Sequence, residues 1–116
     1  MTLTLYHNPR CTKSRKTLAL LRQHGVEPKI VEYLKTPPSE ADIADIIQKL
    51  GLKSAREMMR TKEDAYKALG LKEVDDEDAL IAAMADNPKL IERPILIHGE
   101  RAAIGRPPEN VLSVVD

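Results

Sequence analysis

Among the 116 residues stand one cysteine, no tryptophan and no phenylalanine. A single cysteine excludes an intramolecular disulfide and suits a reducing compartment, so a cytoplasmic location is expected. The aromatics are Tyr6, Tyr33 and Tyr66 alone, too few to build stacking platforms for single-stranded bases. Net charge is absent as well: 18 Lys and Arg balance 18 Asp and Glu, so no overall field draws nucleic acid or an anionic membrane. The longest apolar run, Ala79 to Ala85, falls far short of a bilayer span. Nothing at Met1-Thr2-Leu3-Thr4 has the features of a signal peptide. His7, His24 and His98 are scattered and offer no metal-ligand spacing with the cysteine, so no metal is expected. A composition 42% hydrophobic and 31% charged is that of a globular chain, and its length suggests one domain over 1–116.

The one cysteine lies in His7-Asn8-Pro9-Arg10-Cys11-Thr12-Lys13-Ser14-Arg15. Before this run Leu3-Thr4-Leu5-Tyr6 alternates like a half-buried strand, and after it Leu18, Leu20 and Leu21 carry a helical spacing up to Gly25. Cys11 is therefore expected in a strand-to-helix turn, where free N–H groups and the helix dipole stabilise an anion. Arg10, Lys13, Arg15 and Lys16 add positive charge. A thiol so placed should titrate below the free value of ~8.5, and the same N–H groups would attract an oxyanion. None of the four residues on either side of Cys11 is a core-forming aliphatic, which sets it apart from a buried structural cysteine.

Beyond the first helix, Lys29 to Leu34 reads as a second strand, completing a βαβ unit that favours parallel pairing. Ser39 is a good N-cap, with Glu40 and Asp42 in the first turn behind it. Ile43, Ile46, Ile47 and Leu50 give a helical face up to Gly51. Further helical pieces are expected after Ser54, from Glu63 to Leu69, and from Asp76 to Ala85 with Asn87-Pro88 as a stop. The C-terminal third returns to strands: Pro94 to Ile97, a turn at His98-Gly99-Glu100, and Arg101 to Ile104 as a hairpin. Pro107 and Pro108 suit the start of a closing helix with Val111, Leu112 and Val115 on its apolar face. The order β-α-β, helical block, β-β-α matches an α/β, thioredoxin-like sheet with a helical insertion over about 39–87.

Cys11-Thr12-Lys13-Ser14 is a C-x-x-S arrangement, so an adduct at Cys11 must be cleared by an external thiol. Ser14 either donates to a thiolate or serves the helix's first turn. His7 lies four residues before Cys11, where an imidazolium would depress the thiol pKa. A phosphatase-type C-x5-R loop would need arginine at position 17, which is Thr17. Arg60, Arg93 and Arg106 each fall near an element boundary, and guanidinium forks suit tetrahedral oxyanions. Pro94, opening a strand after Arg93, marks a special backbone geometry, a cis bond among the possibilities.

The run from His7 to Arg15 resembles the active-site loop of glutaredoxin-coupled bacterial arsenate reductases. The similarity extends through Tyr33-Leu34-Lys35-Thr36-Pro37-Pro38, Met58-Met59-Arg60, Ile91-Glu92-Arg93-Pro94-Ile95 and Gly105-Arg106-Pro107-Pro108-Glu109, covering essentially the whole chain. The resemblance implies a thioredoxin-like fold, a nucleophile at Cys11 assisted by His7, and anion-binding arginines at Arg60, Arg93 and Arg106. Ser14, Arg15 and Pro94 fall into supporting positions. It further implies arsenate or a similar oxyanion as substrate, glutathione as co-substrate with no bound cofactor, and glutaredoxin as partner, without nucleic acid or membrane. The chain ends at Asp116 without the charged extension of well-known members, and Thr61-Lys62-Glu63-Asp64 also differs; both features resemble a shorter, arsenate-reductase-related subgroup. Two other functions fit this fold. One is a transcriptional regulator contacting RNA polymerase, whose oxidant-sensing C-x-x-C is absent here. The other is a monothiol glutaredoxin-like thiol exchanger, which the C-x-x-S also suits.

Overall fold

In the computed structural model, residues 2–115 are described. They fall into two compact units, one built from 2–36 and 93–115, the other from 37–92. The inserted unit runs from Pro37 to Glu92.

The discontinuous unit carries a four-stranded sheet in the order β2-β1-β3-β4. Its strands are β1 (Leu3–Tyr6), β2 (Lys29–Val31), β3 (Ile95–His98) and β4 (Arg101–Ile104). As the βαβ pattern predicts, β1 and β2 are parallel, with Leu5 opposite Ile30. β3 pairs antiparallel with β1, Leu5 opposite Leu96, and β4 antiparallel with β3. β2 stops three residues earlier than its apolar pattern suggests. The Lys35 and Thr36 amides bond back to the Glu32 carbonyl, closing a turn where the strand would have continued.

Helix α1 (Thr12–Gln23) lays Leu18 and Leu21 onto Leu5 and Leu96. Val111 and Val114, from the 3-10 segment Pro108–Val114, complete this core. That closing segment is 3-10 rather than α-helical, and it opens after a cis Arg106–Pro107 bond. Fully burying such side chains stabilises by about 1.5–3 kcal/mol each. The core is the foundation on which the first turn of α1 and the start of β3 are held.

The inserted unit is helical. Ser39 caps α2 (Glu40–Leu50) in a capping box with Asp42, and Gly51 ends the helix at φ 70°, the left-handed conformation glycine adopts without penalty. Of the anticipated helix face, Ile43 and Ile46 are buried. A second capping box, Ser54 with Glu57, opens the 3-10 turn Ala55–Met58. Next come α3 (Asp64–Ala68) and α4 (Glu77–Asp86), the latter burying Leu80 and Met84. As expected, α4 stops at Asn87-Pro88, and Pro88 then opens a 3-10 turn through Leu90. Arg56 fastens the connection from α3 to α4, donating to Tyr66 Oη and to the carbonyls of Leu71 and Val74. Among the described residues no helix is long and apolar enough to cross a membrane.

Candidate active site

Cys11 is the N-cap of α1, in extended backbone between β1's exit loop and the helix. The loop is shaped by short-range bonds. Asn8 Oδ1 accepts from the Arg10 N–H at 3.0 Å, and the Asn8 carbonyl accepts from the Cys11 N–H at 3.0 Å. Such Asx turns are why asparagine favours these loops. Arg15 braces the outside, donating to the Pro9 carbonyl at 2.9 Å and to Thr12 Oγ1 at 3.3 Å. The sulfur is left part-exposed at the helix N-terminus.

Burial pushes the Cys11 thiol up, but it is outweighed. The Ser14 backbone N–H, the Arg93 guanidinium and the Lys13 N–H all favour the thiolate, so the group sits below its ordinary pKa. A lowered thiol agrees with the expectation from sequence, yet its source differs. Arg10, Lys13, Arg15 and Lys16 have exposed side chains, and the charge that acts on the sulfur comes from Arg93. Solvent screens exposed cations, whereas a half-buried guanidinium in contact is screened little. Arg93 also keeps a buried Nε with no hydrogen-bond acceptor, an arrangement costing about 1–3 kcal/mol that a ligand oxygen would relieve.

Ser14 and His7 meet each other. Ser14 is fully buried, its Oγ 2.6 Å from His7 Nδ1 and accepting from the Asn8 N–H at 3.0 Å. Its backbone, not its hydroxyl, meets the thiol. Burial lowers the His7 pKa; Glu32 opposes this, while Arg22 and Arg15 add to it. A lowered pKa favours the neutral ring, which holds the loop through Ser14.

The Arg93–Pro94 bond is cis. Arg106 Nε donates to the Arg93 carbonyl at 3.0 Å, so Arg106 braces the residue that reaches the sulfur. Arg60 lies in the inserted unit, where its guanidinium pairs with Glu63 at 2.9 Å. Beside the loop a cavity of about 680 Å³ opens against α1, lined by His7, Pro9, Arg15, Leu18 and Arg22 among others. No cluster of metal-ligating side chains occurs among the described residues. Sequence alone assigned no role to Asn8, Thr17 or Gly105. Asn8 before a proline is a turn signal, but Thr17 is marked only by its burial at 0% exposure, which the sequence does not display.

Comparison with known proteins agrees with this geometry. The chain is 51% identical over 114 residues to the arsenate reductase of Neisseria meningitidis serogroup B, covering 97% of each protein. It is 57% identical over 112 residues to an Escherichia coli K12 protein named only uncharacterized protein YfgD, covering 96% of this chain and 94% of that one. A solved structure, arsenate reductase from Vibrio cholerae, superposes with a TM-score of 0.96 at 50% identity, covering 99% and 98% of the two chains. The fold is thioredoxin-like, as the order of elements implied. With the ArsC family model matching residues 6–114, the chain belongs to the ArsC family.

Proposed function

We propose that this chain reduces arsenate to arsenite, with Cys11 as nucleophile, glutathione as reductant and glutaredoxin as the protein that regenerates the thiol. The observation that carries the reading is the part-exposed Cys11 at the N-cap of α1, whose thiol the N–H groups of Ser14 and Lys13 and the Arg93 guanidinium hold below its ordinary pKa. That cradle stabilises a thiolate, and the same donors suit a tetrahedral oxyanion delivered to it. The relatives named arsenate reductase supply the substrate.

In the first step the thiolate attacks arsenic(V) and a protonated oxygen leaves as water, giving a sulfur–arsenic adduct. Donors around the oxyanion are preorganised and need not reorient as charge shifts. A glutathione thiolate then attacks the Cys11 sulfur. The electron pair of the sulfur–arsenic bond passes to arsenic, which leaves as arsenite, and the two sulfurs are joined as a mixed disulfide. With serine at position 14 no internal thiol can open it, so glutaredoxin takes the glutathionyl group and restores Cys11. Arg60 enters this reading only through the family resemblance, and no step is assigned to it.

The test is arsenate-dependent NADPH oxidation with glutathione, glutathione reductase and glutaredoxin, run beside Cys11→Ser. Turnover that vanishes in the variant is the expected result. A wild-type protein with a reactive Cys11 and no arsenate turnover would remove arsenate as substrate and favour thiol exchange on glutathionylated proteins.

A further inference from the structure

Gly105 follows β4 and is buried. Its N–H donates to the Pro94 carbonyl at 2.8 Å, so the two segments touch through their backbones. A methyl group at this position would stand 2.7 Å from Thr17 Oγ1, 2.8 Å from Pro94 Cγ and 3.2 Å from Thr17 Cγ2. These are not flexible tips that swing aside. Thr17 is wholly buried and β-branched, hence stiff at χ1, and the Pro94 ring is closed on its own backbone.

Each neighbour belongs to one half of the surroundings of Cys11. Thr17 Oγ1 donates to the Lys13 carbonyl at 2.8 Å, and Lys13 and Ser14 supply the helix-side N–H groups. Pro94 follows Arg93 directly, and Arg93 supplies the other side. The absent Cβ of Gly105 thus lies between the two halves, against Thr17 on one side and Pro94 on the other.

We propose that Gly105 is a positioning residue: by leaving no side chain between Thr17 and Pro94, it lets the first turn of α1 and the Arg93 segment close on the Cys11 sulfur from opposite sides. A Cβ there wedges them apart, lengthening the Arg93 contact and pressing on Thr17, whose bond to Lys13 aligns the helix-side donors. A charge-assisted hydrogen bond weakens steeply with distance and angle. The effect is therefore read at the thiol, not only in stability. The proposal rests on the reading of Cys11 as a thiolate nucleophile and does not depend on arsenate.

The experiment is the rate of Cys11 alkylation by iodoacetamide as a function of pH, on folded protein, for wild type, Gly105→Ala and Val111→Ala. Val111→Ala removes bulk from the same unit's core and controls for destabilisation alone. Gly105→Ala is expected to raise the midpoint by about half a pH unit or more, slowing alkylation roughly threefold below the midpoint, while Val111→Ala titrates as wild type. Equal midpoints in all three would overturn the proposal. Should Gly105→Ala fail to fold, Thr17→Val decides, since it keeps the bulk and cuts the bond to Lys13. A raised midpoint supports the proposal and a wild-type midpoint overturns it. An ordinary thiol midpoint in the wild type would overturn both this proposal and the nucleophile reading.

Discussion

Replacing Arg93 by methionine removes the guanidinium charge that acts on the Cys11 thiol while keeping an unbranched, flexible chain in its place. Burial is the largest influence on the sulfur and acts upward; without the guanidinium, only the Ser14 and Lys13 N–H groups oppose it. A hydrogen bond to a charged group is worth about 1.5–3 kcal/mol, or about one to two pH units in a pKa. Cys11 is part-exposed, so solvent screening takes back part of this and the midpoint still rises. Iodoacetamide alkylation should then slow roughly tenfold at pH values below both midpoints. Arg10→Met, which removes an exposed loop cation, should leave the midpoint unchanged. Stability gives a second readout with a definite sign. A thiol whose folded pKa is depressed stabilises the fold fully above its unfolded pKa of roughly 8.5, and loses that contribution as pH falls through the folded value. Wild type should gain stability over Cys11→Ser as pH rises through that window, and Arg93→Met should gain less. An Arg93→Met protein that titrates like wild type would refute the assignment of Arg93 to the thiolate.

Arg56→Met should destabilise the inserted unit by about 3 kcal/mol, because the Leu71 and Val74 carbonyls and the Tyr66 hydroxyl lose their donor; a loss under about 1 kcal/mol in urea unfolding would show that water replaces it. His7, lowered first by burial, is neutral in the fold and charges more readily once unfolded. Stability should therefore fall as pH drops below the ordinary histidine value of 6.5 and level off beneath the folded pKa. His7→Gln should abolish this slope in denaturant titrations at successive pH values. A difference between the two proteins that does not change with pH would contradict the neutral ring.

Whatever depends on residues near one another in the chain was legible before the structure. The alternation of Leu3 to Tyr6, the leucines after Thr17 and the punctuation at Gly25 placed Cys11 between a strand and a helix, and it is the N-cap of α1. Ser39 with Asp42 closed its capping box as the spacing predicts. The hairpin of β3 and β4 and the parallel β1–β2 pair followed from apolar period and connection length. Ends were less legible. β2 stops at Val31 because the Glu32 carbonyl is taken by a turn, and the closing helix is 3-10 after two prolines.

The site divides along the same line. Sequence alone determined that one thiol, with no second cysteine to resolve it, stands at a helix N-terminus in a loop typical of its family, since those properties are carried by a run of nine residues. Only the tertiary structure decided which charge acts on the sulfur, that burial lowers the His7 pKa, that the Ser14 hydroxyl meets His7 and Asn8, and that a Cβ at Gly105 would crowd Thr17 and Pro94. Burial and through-space electrostatics depend on what packing brings within a few ångströms, and no spacing along the chain records that Arg93 and Gly105 close on the first turn of α1.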